Sequence, residues 1–330
     1  MKSRGLWVWL LSLAPAPVFV LALHVGAYPI SLTELWQALT PGSGVPEQLR
    51  AVILQVRLPR IVLALLVGMA LSLAGATLQA VFRNPLVDAY ILGLSAGAAF
   101  GCAVSVAFLP AWPVQICAFA CALLAAMLTF GLARTRAEVP TLSLILAGIV
   151  VSALFTALVS LIKFLVDPHK LASIVFWLMG SLSLADWHTV MKALPWIAAG
   201  ALALWLSRWR LNALSMGDQE AKSLGVEVGR ERGFFLLAAA LMVAAAVSVS
   251  GIIGWVGLMI PHLVRMLVGP DHRRVIPLSM TLGAAFLMLS DTLARTVTGG
   301  EIPVGIITTV CGAPFFIYLL KRGGQESWKL

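Results

Sequence analysis

Charge is scarce in this sequence. Asp, Glu, Lys and Arg make up 11% of its 330 residues, and 60% are hydrophobic. A soluble domain carries about a quarter charged residues because its surface faces water. That class is excluded for most of this chain. Cysteine and histidine are also few, at 4 and 5. Cys102, Cys117, Cys121 and Cys311 all lie in apolar runs, and His24, His169, His188, His262 and His272 are scattered. No subset has metal-ligand or disulfide-framework spacing, so the cysteines read as small hydrophobes in helix packing. No G-x-x-x-x-G-K-[ST] loop is present, which excludes cradling of ATP phosphates by that device. A net charge of +9 raises nucleic acid as a partner. The basic residues, however, sit in short loops between apolar runs and form no stripe or tail.

What is present is apolar length. A helical crossing of a bilayer needs roughly 20 apolar residues, and the chain supplies such stretches repeatedly. The first follows Lys2 and Arg4 and runs from Leu6 to Leu23. It is long for a secretory signal and has no clean small-x-small cleavage site, so it reads as a retained helix. Others cover 61–82, 89–109, 111–133, 139–165, 187–207, 233–250, 256–268, 276–297 and 303–320, with a half-helix at 171–185. The expectation is an all-α, polytopic membrane protein of about ten crossings plus that half-helix, forming one domain over 1–330. Proline marks the span ends at Pro59, Pro85, Pro110, Pro140, Pro168, Pro270 and Pro303. The glycines at 251, 254 and 257 instead interrupt a continuous apolar run, 233–260. Irregular backbone at membrane depth survives only beside protein or a water-filled path, so a plunging loop is expected there. The interrupted stretches 84–98 and 251–262 are candidates for corresponding positions in two halves.

With the N-terminus inside, 16 of the 23 Lys and Arg fall on the inner side, among them Arg83, Arg134, Arg136, Arg265, Arg273 and Lys329. The other 7, including Arg57, Arg60 and Arg295, fall outside. The positive-inside rule then makes both termini cytoplasmic. The largest polar island, 207–232, lies on the same side. Within it Ser215 is placed to cap a short helix with Asp218 three residues on, Asp218 and Lys222 have i,i+4 spacing, and Gly225 suits the left-handed residue that ends a helix. Met216, Ala221 and Leu224 are its candidate apolar contacts for a partner.

Several short runs resemble the FecCD-type permease family. They are Arg57-Leu-Pro-Arg60, Asn84-Pro-Leu86, Gly93-Leu-Ser-Ala-Gly97, Phe176-Trp-Leu-Met-Gly-Ser-Leu182, Ile260-Pro-His-Leu-Val-Arg265, Gly269-Pro-Asp-His-Arg273, Ser290-Asp-Thr-Leu-Ala-Arg295 and Glu301-Ile-Pro-Val304 with Gly312-Ala-Pro-Phe-Phe316. They follow in order over nearly the whole chain. The resemblance implies a type II ABC importer permease in a bacterial or archaeal cytoplasmic membrane, carrying iron–siderophore, haem, cobalamin or an oxyanion such as molybdate. It implies a homodimer, two ATPase subunits inside holding ATP and magnesium, and a substrate-binding protein outside. This chain would itself hold no cofactor and no metal. By the same resemblance Gly217, Asp218, Ala221, Leu224 and Gly225 couple to the ATPase, and Asn84, Leu86, Thr141 and Leu142 close the pathway toward the cytoplasm. Arg57, Arg60 and Arg295 grip acidic residues of the binding protein, a task that suits the bidentate guanidinium fork.

The rival readings are a secondary transporter and a membrane enzyme. The first needs ionisable groups within the membrane. Asp88, Glu138, Asp167, Asp186, Asp271 and Glu301 fall at span ends, and Asp291 has Arg295 four residues on, an ion-pair spacing. The second needs convergent acid–base or metal groups, which the scattered histidines do not supply.

Overall fold

Proline and glycine decide where this chain stops being helical. A computed structural model describes residues 2–26, 30–40, 46–134, 140–298 and 300–322. Arg136, Glu138 and Lys329 lie outside the described residues, as do Met1 and 323–330. The described residues form α1 (Lys2–Leu13), α2 (Pro15–His24), α3 (Leu32–Leu39), α4 (Glu47–Ala51), a π-helical turn (Val52–Arg57), α5 (Leu58–Phe82), α6 (Leu94–Phe108), α7 (Val114–Ala133) and α8 (Thr141–Leu165). They continue as α9 (Pro168–Leu178), α10 (Trp187–Met216), α11 (Asp218–Ser223), α12 (Val228–Ser250), α13 (Val256–Val268), α14 (His272–Ala294) and α15 (Val304–Arg322). Among the described residues, eight helical stretches are long and apolar enough to cross a membrane, and α6 and α13 are shorter apolar helices.

The differences from the sequence reading have local causes. The first span breaks at Ala14, where Pro15 and Pro17 restart the helix as α2. Pro59 has no N–H to donate back along the chain, and the turn before it widens into the π segment. The half-helix starts at Pro168, where the Asp167 carboxylate accepts from the backbone N–H groups of His169 and Lys170, and it ends at Leu178. The 89–109 stretch becomes helical only at Leu94, after Gly93 at φ +77°. The polar island shrinks, because α10 runs on to Met216 and α12 begins at Val228. At 30 residues, α10 is about 45 Å long, longer than the hydrocarbon core needs.

The core centres on α5, which is buried on nearly every side by α10, α12, α13 and α14. Small residues let these backbones meet. A Cβ on Gly68 would fall 2.3 Å from the Gly283 carbonyl oxygen of α14. The plunging loop between α12 and α13 occupies 251–255 and is held by the end of α9. Ser181 N–H donates to Ser250 O at 2.8 Å, and a Cβ on Gly251 (φ +67°) would lie 2.2 Å from the Trp177 carbonyl oxygen.

The ends of the helices define two faces. One carries the ends of α5, α10 and α13 and the starts of α12 and α14, tied by Arg83–Asp218 and Arg232–Asp218 ion pairs and by Asn212 donating to Asp271. Most of the arginines lie there, and we call it the basic face. The opposite face carries the π segment, α9, the start of α10 and the end of α14.

Candidate functional site

Three polar clusters interrupt the apolar body, and each joins elements distant in sequence. The first lies under the opposite face. Arg60, one turn into α5, donates through Nε to both Asp291 oxygens at 3.0 Å and through Nη1 to Glu301 Oε1 at 2.8 Å. Arg295 sits 3.5 Å from the other side of Asp291 and donates to Ala22 O. Arg57 donates to Leu23 O at 2.6 Å. The network therefore pins α2 and the 301–303 segment to α5 and α14. The three arginines expected to grip a partner do not project from the surface: Arg57 and Arg60 are buried, and Arg295 is nearly so. The Arg295–Asp291 pair is present as its i,i+4 spacing predicts, and Arg60 adds a second cation that the sequence did not reveal. A carboxylate whose oxygens are engaged by two guanidinium groups serves as a structural tie between helices.

The second cluster joins the two interrupted stretches. Gln79 donates through Nε2 to Val87 O and to Gly257 O, both at 3.1 Å, while its Oε1 accepts from Arg265 Nη2. The Tyr90 hydroxyl donates to Ile253 O at 2.9 Å and accepts from Ile253 N–H at 3.2 Å. Carbonyls that an unwound backbone leaves open are thus satisfied by two side chains. Sequence reading missed both. A glutamine within an otherwise apolar span was the available signal, because a buried amide must find partners. Asp88 lies in the same loop, its carboxylate accepting, among the described residues, from Ala89 N–H at 2.6 Å. Burial pushes its pKa up to about 6.

The third cluster is at the basic face. Gly217, at φ +144°, separates α10 from α11, and Gly225, at φ +78°, ends the turn after α11. Gly225 thus has the left-handed conformation its position predicts. Ser215 does not cap α11: it lies inside α10 and its hydroxyl donates to Asn212 O at 2.8 Å. Asp218 accepts from Arg83 at 2.6 Å and from Arg232 at 2.9 Å, which clamps α11 between the ends of α5 and α12. Ala221 is fully buried, so it packs against its own chain and is removed from the candidate partner contacts. Met216 and Leu224 project, with Leu224 61% exposed.

Of the gate candidates, Asn84 Oδ1 accepts from Leu86 N–H at 2.9 Å and so shapes the turn after α5. Leu86 is exposed. Thr141 and Leu142 open α8 just after Pro140, and Leu142 is exposed. No hydrogen bond among the described residues joins the two pairs within one chain.

Comparison with known proteins follows the same outline. The model of the FecCD transport family matches residues 13–322. A permease protein named for iron chelatin transport in Helicobacter pylori is 44% identical over 276 residues, 84% of this chain and 84% of its own. The molybdate import system permease protein MolB of Haemophilus influenzae is 42% identical over 319 residues, covering 93% of this chain and 94% of its own. A solved inward-facing conformation of a metal-chelate type ABC transporter matches with TM-score 0.87 and 37% identity, over 97% of this chain and 100% of that one.

Proposed function

The chain belongs to the FecCD transport family, multi-pass ABC importer permeases, and we propose that it is the membrane subunit through which an ATP-driven importer passes a metal chelate to the cytoplasm. Permease subunits of such transporters are not enzymes, and ATP is hydrolysed by a separate subunit. The observation that carries the reading is the clamped helix α11. A short amphipathic element, held rigidly by Asp218 to the ends of two core helices yet presenting Leu224 and Met216 outward, suits transmission of force from a docked partner into the membrane body. We assign that partner as an ATPase subunit, one per permease of a homodimer, binding ATP and magnesium that this chain does not hold. The basic face is then cytoplasmic, both termini lie on that side, and the whole chain acts as one permease domain in a bacterial or archaeal cytoplasmic membrane.

The remaining assignments follow from this orientation. A substrate-binding protein docks on the opposite face. Arg57, Arg60 and Arg295 act there from beneath the surface: Arg60 and Arg295 hold the Asp291 and Glu301 carboxylates and Arg57 adds a third guanidinium that donates to Leu23 O, so the cluster carries an excess of positive charge toward an acidic partner. Asn84, Leu86, Thr141 and Leu142 form the cytoplasmic gate, the two exposed leucines meeting their copies across the dimer axis. The cargo we place first is an iron chelate, a siderophore complex or haem, ahead of cobalamin and oxyanions. The relatives' names, iron chelatin and molybdate, support that range.

The test is reconstitution in vesicles with candidate ATPase and binding-protein partners. Uptake should require ATP. Leu224→Glu should abolish ATPase association and uptake while leaving the unfolding temperature unchanged, since the side chain is exposed. Uptake driven by a pH gradient without ATP would overturn the reading.

A further inference from the structure

Two concavities share one tryptophan on the outside of the helical body. The first, about 490 Å³, lies among α2, α5, α10 and α14 and is lined by apolar side chains including Leu65, Met69, Leu202, Trp205 and Met280. Pro15 and Pro277 also line it. The second, about 350 Å³, continues from Trp205 toward the basic face and is lined by Trp209, Arg208 and Arg273. The Arg208 guanidinium lies 4.5 Å from the centre of the Trp205 ring and donates to Trp205 O at 3.1 Å. Neither Arg208 nor Arg273 is in ion-pair contact with a carboxylate among the described residues. Asp271, the nearest acid in sequence to Arg273, is engaged by Asn212 at 2.8 Å and by the Arg273 backbone N–H at 3.0 Å. Arg210 is already paired with Glu231.

We propose that this composite groove binds an anionic glycerophospholipid of the leaflet at the basic face, an acyl chain in the apolar part and the phosphate between Arg208 and Arg273. The apolar part is lined from four membrane-crossing segments, so what enters it comes from the bilayer and not from water. The two tryptophans sit where the apolar part gives way to the basic part, the level at which indole rings suit a membrane–water interface. Arg208 has no ion-pair partner among the described residues and Arg273 has only the charge of Asp271 near it, so the two together favour a lipid with net negative charge over a zwitterionic one. Basic pockets between membrane helices are a recurring form of such sites. The proposal concerns lipid binding alone and stands apart from the transport reading.

The test uses the full chain in detergent and native mass spectrometry, with phosphatidylglycerol or phosphatidylcholine added at equal ratio. Phosphatidylglycerol should be retained preferentially. Arg208→Gln with Arg273→Gln should weaken that retention about thirty-fold, the equivalent of about 2 kcal/mol for two interfacial charges, while Arg208→Lys with Arg273→Lys retains it and Arg230→Gln changes nothing. Met280→Trp, which fills the apolar part and leaves both arginines, should also weaken it. The unfolding temperature of each variant reports whether the fold survives, and both arginine sites lie at the protein surface. Four results would overturn the proposal: equal retention of phosphatidylcholine, full retention in the double glutamine variant, displacement by inorganic phosphate, or a Trp205→Cys disulfide between two copies, which would make the groove a protein interface.

Discussion

Asp291 and Asp218 each bind two arginines, at opposite ends of one helical body, with ion-pair distances of 3.0 and 3.5 Å in the first case and 2.6 and 2.9 Å in the second. By distance alone the Asp218 cluster is the tighter. Burial reverses the order of importance. The Asp291 side chain is 2% exposed, and its cations come from α5 and α14, so water cannot replace either partner. Asp218 is open to solvent on one side, with Arg83 35% exposed and Arg232 only 6%. Ions taken out of water are held by their partners or not at all, whereas exposed pairs contribute little. The first cluster therefore holds the body together, and the second positions a surface element that has to be reached by something else.

The largest effect expected from this contrast is at Asp291. Asp291→Ala leaves Arg60 and Arg295 buried beside each other with only Glu301 between them and water, and should cost about 3–5 kcal/mol, the usual loss when one member of a buried ion pair is removed. Asp291→Asn, which keeps an acceptor for Arg60, should cost less. Thermal unfolding of the chain in detergent reads both. A loss under about 1 kcal/mol in the alanine variant would mean that the network does not stabilise the fold.

A smaller effect separates the two arginines of Asp218. Arg232→Ala removes a buried guanidinium and should cost about 1–3 kcal/mol, in the range for a hydrogen bond to a charged group. Arg83→Ala removes a half-exposed one and should fall within about 0–1 kcal/mol. Equal costs from the same unfolding measurement would break the argument that burial, and not distance, ranks these pairs.

The contrast also shows what sequence could and could not say. The spans were legible because apolar length is a local property, and Gly225 was legible because a left-handed helix end has a local signature. Asp291 with Arg295 was legible through its i,i+4 spacing. Arg60 with Asp291, 231 residues apart, was not, since no local pattern tells which helices lie side by side. The same holds for Ala221. Its place on a short amphipathic helix suggests an outward contact, but its fully buried state depends on where α11 lies against the body. Gln79 and Tyr90 were hidden for a related reason: their partners are backbone carbonyls and amides of irregular stretches, which carry no residue signature at all.

Asp88 extends the comparison to a half-buried aspartate with no cation, since no ion pair reaches it among the described residues. Its carboxylate has one backbone N–H for company, and burial raises its pKa from the ordinary 3.8 to about 6. In the unfolded chain the group titrates near its ordinary value. Between those two values the folded protein therefore holds a proton that the unfolded chain has released, and stability falls as pH rises through that window. Below about 4 the contribution is fully present, and above about 6 it is lost. Asp88→Asn is neutral at every pH and feels none of this. Wild type measured against Asp88→Asn should thus be relatively most stable near pH 4, lose ground steadily to pH 6, and run parallel to it from there to pH 7.5. At full size a rise from 3.8 to about 6 corresponds to about 3 kcal/mol, and water at this half-buried site screens it to a fraction of that. Parallel unfolding temperatures for the two proteins across the whole range would show that Asp88 is charged in the folded state from the start, and that an unseen cation or water stands in for the arginines it lacks.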